Sequence, residues 1–190
     1  MSSVVASAPP AREDGQVYST TRMGLHWLMS VLLCAAFSLG LYMHDLALTP
    51  TKLRLFNYHK WLGITIFVLA VARVWARAVD RTTFPRPPGP RWQHLAAREA
   101  HLLLYVLLFA VPLSGWIMSS ADGFQTVLFG VLPIPDLVPK SKELAAVFKD
   151  LHKILNFLTL AIAMIHGGAA LHHHFVLKDG LIRRMLPRLR

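Results

Sequence analysis

Ten histidines lie in a chain of 190 residues of which 54% are apolar and only 16% charged. An ionisable side chain inside an apolar span is costly, so it marks a site before it marks packing. His152 and His166 are the informative pair. Fourteen residues separate them, which at 100° per residue falls about 40° short of four turns. Both therefore face one side of a helix, roughly 21 Å apart along its axis. One metal ion cannot bridge that distance. Two ions at two depths of a helix bundle can, each completed by an imidazole from another helix. By depth, His59 pairs with His152 at one level and His26 with His166 at the other. Two neutral imidazoles on facing helices are the ligand set of a non-covalent haem iron. The pattern thus points to two haem b groups and to one-electron chemistry. His101 stands at the level of His26, and either replaces it as a ligand or hydrogen-bonds a cofactor. His44 and His94 fall in predicted loops and read as interfacial residues. His172, His173 and His174 point in three directions about a helix, so at most two of them face a bundle.

Four apolar segments can carry these residues: Leu25–Met43, Trp61–Val79, His101–Ser119 and Leu151–Val176. Each approaches or exceeds the roughly 20 residues that a bilayer crossing requires. None alternates in the way of a strand. The predicted fold is all-α, an integral membrane four-helix bundle spanning 21–190, behind a disordered N-terminal tail at 1–20. Arg73 and Arg77 close the second span, one turn apart, where long side chains reach the interface. Pro112 predicts a kink in the third, and the fourth is long enough to tilt. Gly63, Gly167 and Gly168 leave room beside the histidines for a flat macrocycle, and Gly115 is read the same way. The Thr83–Pro90 stretch reads as a stiff linker. The 121–149 connection is the longest, with Ser141–Phe148 an amphipathic stretch suited to a short surface helix.

Charge sets the topology. There are 20 Lys and Arg against 10 Asp and Glu. A soluble domain carries about 25% charged residues, so the composition argues against a soluble enzyme or a nucleic-acid-binding protein. Thirteen of the basic residues fall on the side of the two termini and seven on the other. The excess of Lys and Arg in cytoplasmic loops then puts both termini in the cytoplasm of a multi-pass inner-membrane protein. The seven are Lys52, Arg54, Lys60, Lys140, Lys142, Lys149 and Lys153. The one cysteine, Cys34, excludes an intrachain disulfide, and no Cys-x-x-Cys-His is present to attach haem covalently. The first span lacks a cleavage site and is expected to be retained.

With these residues in place the chain resembles the bacterial di-haem cytochrome b-561 family, and within it the members that oxidise superoxide and reduce ubiquinone. The matching stretches are Leu25-His26-Trp27, His59 with Gly63, Ala100-His101-Leu102-Leu103-Leu104-Tyr105 with Pro112, and His152 with His166. His173-His174-Phe175, Lys178-Asp179 and Arg184-Met185-Leu186-Pro187 complete them. The likeness runs from about Ser19 to the C-terminus, and the His-x13-His helix with a trailing His-His is its specific part. The resemblance implies that His59 and His152 hold a periplasmic haem and His26 and His166 a cytoplasmic one. It implies a ubiquinone site at His173, with His101 close by. Superoxide would then approach from the periplasm, where Lys140, Lys142 and Lys149 among the basic residues would steer it.

The family also includes subunits that serve hydrogenases and other dehydrogenases, so the alternative is an electron carrier docked to a partner protein. A third reading, a non-haem metal carrier, lacks a Cys or carboxylate cluster at short ligand spacing. A visible spectrum separates it from the other two.

Overall fold

The computed structural model describes residues 18–80 and 89–186. Four helices follow one another: α1 (Thr20–His44), α2 (Pro50–Val79), α3 (Arg91–Ala121) and α4 (Lys142–His172). All four are long and apolar enough to cross a membrane. A two-residue hairpin, β1 (Val127–Leu128) against β2 (Leu132–Pro133), lies between α3 and α4. It was not expected from the sequence. Its pairing hangs on positive φ at Phe129 and Gly130, a local turn that apolar periodicity does not report. The expected tail at 1–20 and linker at Thr83–Pro90 lie outside the described residues, except for Tyr18, Ser19 and the start of α1 at Thr20, and for Gly89 and Pro90.

Every helix begins earlier than its apolar span, and the reason is local. Thr49 accepts a hydrogen bond from Lys52 N–H at 3.3 Å, and Pro50 occupies the first turn of α2. A capping hydroxyl followed by proline starts a helix in a polar segment. Ser141 caps α4 likewise, accepting from Leu144 N–H at 3.2 Å, with Glu143 in the first turn. Ser141–Phe148 is therefore the opening of α4 and not a separate surface helix. α3 starts at Arg91, directly after Pro90, so His94 stands in its first turn and His101 three turns in. His44 is the last residue of α1. Neither His44 nor His94 is in a loop. Pro112 lies inside α3, which continues past it to Ala121.

The packing is lopsided. Met29, Ile66, Ala70 and Leu108 form a buried cluster from α1, α2 and α3, with Leu32, Leu33, Ala36, Leu69, Tyr105 and Phe109 packed on it. α4 packs chiefly along α3. Large apolar side chains point outward on all four helices, for example Leu41, Trp75, Leu102 and Met164. In water that surface would be a liability, whereas lipid tails solvate it. One end of the bundle carries the hairpin. Trp61 donates to Val127 O (2.7 Å), Trp116 to Pro135 O (3.1 Å) and Lys60 to Phe124 O (2.9 Å), which tie that loop over the helix ends. The other end joins the first and last described segments: Trp27 donates to Met185 O (2.8 Å) and Tyr18 N–H to Arg184 O (3.1 Å). Arg22 pairs with Asp80 there at 3.3 Å.

Candidate functional site

At the hairpin end, His59 of α2 and His152 of α4 face each other edge to face, with ring centres 6.2 Å apart and planes at 89°. His152 Nδ1 lies 3.0 Å from Val111 O and 2.9 Å from Ser114 Oγ. Since Ser114 already gives its own proton to Val111 O, the network puts the imidazole proton on Nδ1. Nε2 keeps its lone pair. Two close approaches make room for the rings. A Cβ on Gly115 would lie 3.0 Å from His152 Cε1, and one on Gly40 would lie 3.2 Å from His59 Cε1. Gly115 thus admits an imidazole, not the macrocycle expected of it. His59 Nδ1 is buried without a hydrogen-bond partner. A buried polar atom left so is rare in a finished site.

At the terminal end, His26 of α1 and His166 of α4 repeat the arrangement, 6.3 Å apart at 86°. His101 of α3 also lies against His166, at 4.9 Å, and donates from Nδ1 to Ala97 O at 2.5 Å. Arg73 of α2 reaches the same level. It donates to His26 Nδ1 at 3.1 Å, and its Nε lies 3.4 Å from the Tyr105 hydroxyl.

These spacings test whether a haem iron fits. Two imidazoles that share one metal, each bonded at about 2 Å, stand with ring centres about 6 Å apart. His59 with His152 and His26 with His166 match that separation. His101 with His166, at 4.9 Å, stands closer than that separation. A Cβ at Gly63, Gly167 or Gly168 would meet nothing within 4 Å, which suits a flat ring beside the imidazoles. No group of three or more His, Cys, Asp or Glu side chains converges on a metal-sized site among the described residues. Donor type, spacing and open flanks all fit haem.

His173 stands one helical stretch beyond His166, where α4 widens into a π-helical turn, His173–Leu177. Its Nδ1 donates to Asp179 Oδ2 at 2.5 Å, and Leu181 N–H donates to Asp179 Oδ1 at 3.0 Å. Lys178, at φ 51°, turns the chain so that Asp179 folds back on the helix end. The Asp179 side chain is only 9% exposed. Burial pushes its carboxyl up, but the His173 and Leu181 hydrogen bonds and the charges of His173 and Arg184 outweigh this and hold it below the ordinary value. His174 and Phe175 line a cleft of about 260 Å³ with Lys178, Gly180 and Arg183.

Among the basic residues at the hairpin end, Lys52 is committed to the carbonyls of His44 and Leu46, and Lys60 to that of Phe124. Lys140 lies across Gly123. Lys142 and Lys149 are exposed on the first turns of α4. Sequence analysis placed Arg73 at the interface and Asp179 in a matching stretch without a role at the site, and missed Ser114 and Gly40. Asp179 had a signal, a carboxylate six residues after His173. Ser114 and Gly40 had none, because only the approach of another helix gives them a role.

A membrane bundle with imidazoles paired at two levels is the architecture of a b-type membrane cytochrome. The family model described as prokaryotic cytochrome b561 matches residues 17–188. The chain is 34% identical over 172 residues to cytochrome b561 homolog 2 of Escherichia coli (strain K12), covering 90% of this chain and 92% of that one. It is 30% identical over 174 residues to cytochrome b561 homolog 1 of the same organism, covering 90% and 97%. It is 29% identical over 187 residues to a probable superoxide oxidase CybB of Yersinia pestis, covering 91% and 97%. The chain belongs to the prokaryotic cytochrome b561 family: it is a multi-pass membrane electron-transfer protein that uses haem b.

Proposed function

We propose that this chain is a superoxide:ubiquinone oxidoreductase of the bacterial inner membrane, with both termini in the cytoplasm. His59 and His152 would hold a haem near the periplasmic face, and His26 and His166 one near the cytoplasmic face. The observation that carries this reading is the repeated ring separation, 6.2 and 6.3 Å, at two levels of α4. Bound haem supplies reversible one-electron transfer between the two faces. The remaining chemistry belongs to the chain. Exposed Lys142 and Lys149, with Lys140, present positive charge at the hairpin end and favour encounter with a small anion. At the other end His173 in its imidazolium form donates to Asp179 from Nδ1 and keeps an N–H at Nε2 to hydrogen-bond a quinone carbonyl and deliver that proton. His101 would assist from the same level. Two superoxide ions give two dioxygen molecules, and the two electrons with two protons convert ubiquinone to ubiquinol. The name of the Yersinia pestis relative supports the superoxide assignment.

The Escherichia coli relatives are named only as cytochrome b561 homologues, which favours keeping a second reading. In it the chain is a subunit that accepts electrons from a partner dehydrogenase or hydrogenase at the same hairpin end. Two measurements decide. Purified protein should contain two low-spin b haems per chain, and His152→Ala should retain one. A superoxide pulse should reduce the wild-type haems fast enough to sustain ubiquinol formation without a partner. Slow reduction that a partner dehydrogenase accelerates would leave only the electron-carrier reading.

A further inference from the structure

Two arginines lie one turn apart in the membrane-crossing length of α2, and neither meets a carboxylate among the described residues. Arg73 is half-buried. Its guanidinium carbon lies 5.6 Å from the Tyr105 ring centre, and that of Arg77 lies 5.8 Å from the same ring. The acid–base contacts among the described residues are Arg22–Asp80, His44–Asp45, Arg98–Glu99 and His173–Asp179. A guanidinium does not give up its proton in a protein. Inside a membrane it must pair with an anion or reach water. The Tyr105 phenol offers Arg73 an oxygen and a ring face, but no charge.

The contact with His26 cannot persist once that ring takes a metal. Ligation occupies the lone pair of one ring nitrogen, and a neutral imidazole then carries its proton on the other. Neither nitrogen can still accept from Arg73. Metal binding at His26 therefore turns the guanidinium away and leaves it short of an acceptor at that place. Haem arrives with two carboxylates of its own.

We infer that Arg73 and Arg77, with the Tyr105 hydroxyl, bind the carboxylates of the haem between His26 and His166 and raise its reduction potential. The inference rests on the proposed pairing of those two histidines. The sign follows from charge: oxidised haem carries one more positive charge than reduced haem, so adjacent guanidinium groups disfavour it. Arg73 and Arg77 are binding residues here; they also supply the charge that the haem carboxylates would otherwise have to find in solvent.

The test is a redox titration of the purified holoprotein, following the visible bands of both haems. It compares wild type with Arg73→Gln, Arg77→Gln, Arg73→Lys and His166→Ala. His166→Ala identifies the band that belongs to this level. Each Gln variant should shift that haem tenfold toward the oxidised form, about 59 mV for one electron. Each should also speed loss of that haem to an apo-globin acceptor. Arg73→Lys should keep most of the wild-type potential. Unchanged midpoints and haem loss in both Gln variants overturn the inference and leave the pairing intact. Equal shifts of both haems, or loss of both in Arg73→Lys as well as in the Gln variants, mark a packing role and also overturn it. If His166→Ala retains both haems in full, the pairing itself is wrong.

Discussion

Ser114 holds no metal, yet it sits 2.9 Å from His152 Nδ1 and fixes which ring nitrogen keeps its lone pair. Groups that orient a ligand imidazole commonly contribute 10–100-fold in metal affinity. Because Val111 O remains as a second acceptor, Ser114→Ala should weaken haem retention at this level by about tenfold. Timed transfer of haem to an acceptor globin measures it, and an unchanged rate would remove Ser114 from the site. Asp179 makes a different kind of prediction. Its carboxyl is held below its ordinary value of 3.8. A depressed folded-state pKa contributes stability that is complete above the ordinary value and is lost as pH falls through the depressed one. The fold-back of 178–186 should therefore hold at neutral pH and loosen only under acid conditions. Asp179→Asn should loosen it at every pH and abolish that acid step. Hydrogen exchange of the Leu181 amide reports both. Under the proposed quinone site, the same variant and His173→Ala should keep both proposed haems while slowing ubiquinone reduction. A normal rate in both would dissociate this dyad from the quinone.

The elements place these side chains by where they start and how closely they approach. α4 carries His152 and His166 on one continuous helix, so one rotation about its axis sets both, and the π-helical turn that follows sets His173. α2 presents His59, Arg73 and Arg77 in the same way. The approach of α3 to α4 depends on Gly115, where a Cβ would lie 3.0 Å from the His152 ring. Gly115→Val puts branched carbon into that space and must push the imidazole aside. The expected result is loss of the haem at the hairpin end with the other retained, seen as half the haem per chain in the visible spectrum. Full occupancy would mean that α3 and α4 can part without cost. The Pro112 ring removes the helical donor to Leu108 O, and α3 nonetheless continues to Ala121.

At the scale of the whole molecule the two ends differ in charge and in closure. The hairpin end is covered by a loop tied through Trp61, Trp116 and Lys60 and rimmed by Lys140, Lys142 and Lys149. Capture of a small anion at such a rim depends on a field that salt screens over roughly 8 Å at physiological ionic strength. Under the proposed superoxide:ubiquinone reaction, haem reduction by superoxide should slow as salt rises, while reduction by ubiquinol, a neutral donor, should change little. Replacing Lys140, Lys142 and Lys149 with Gln should mimic high salt and flatten the remaining dependence. Stopped-flow traces at several salt concentrations provide the comparison. A slow trace that ignores salt would argue for delivery by a partner protein.

Apolar length and histidine spacing alone determined the four helices and the two depths of His152 and His166, because bilayer thickness and helical pitch are constants. They also determined the pairing by level, since depth along a span is read directly from residue number. Helix starts were less legible. Thr49 and Ser141 are capping residues in polar sequence, and apolar span counting does not register them. The choice between His26 and His101 was open in the sequence, as both stand at the level of His166. Only the tertiary structure gives their distances from His166, 6.3 and 4.9 Å, because that difference arises from how far α1 and α3 each stand from α4. The same holds for Arg73 against His26, for Ser114 against His152 and for the notch at Gly40. Each is a contact between helices, and one helix's sequence does not encode the distance to its neighbour.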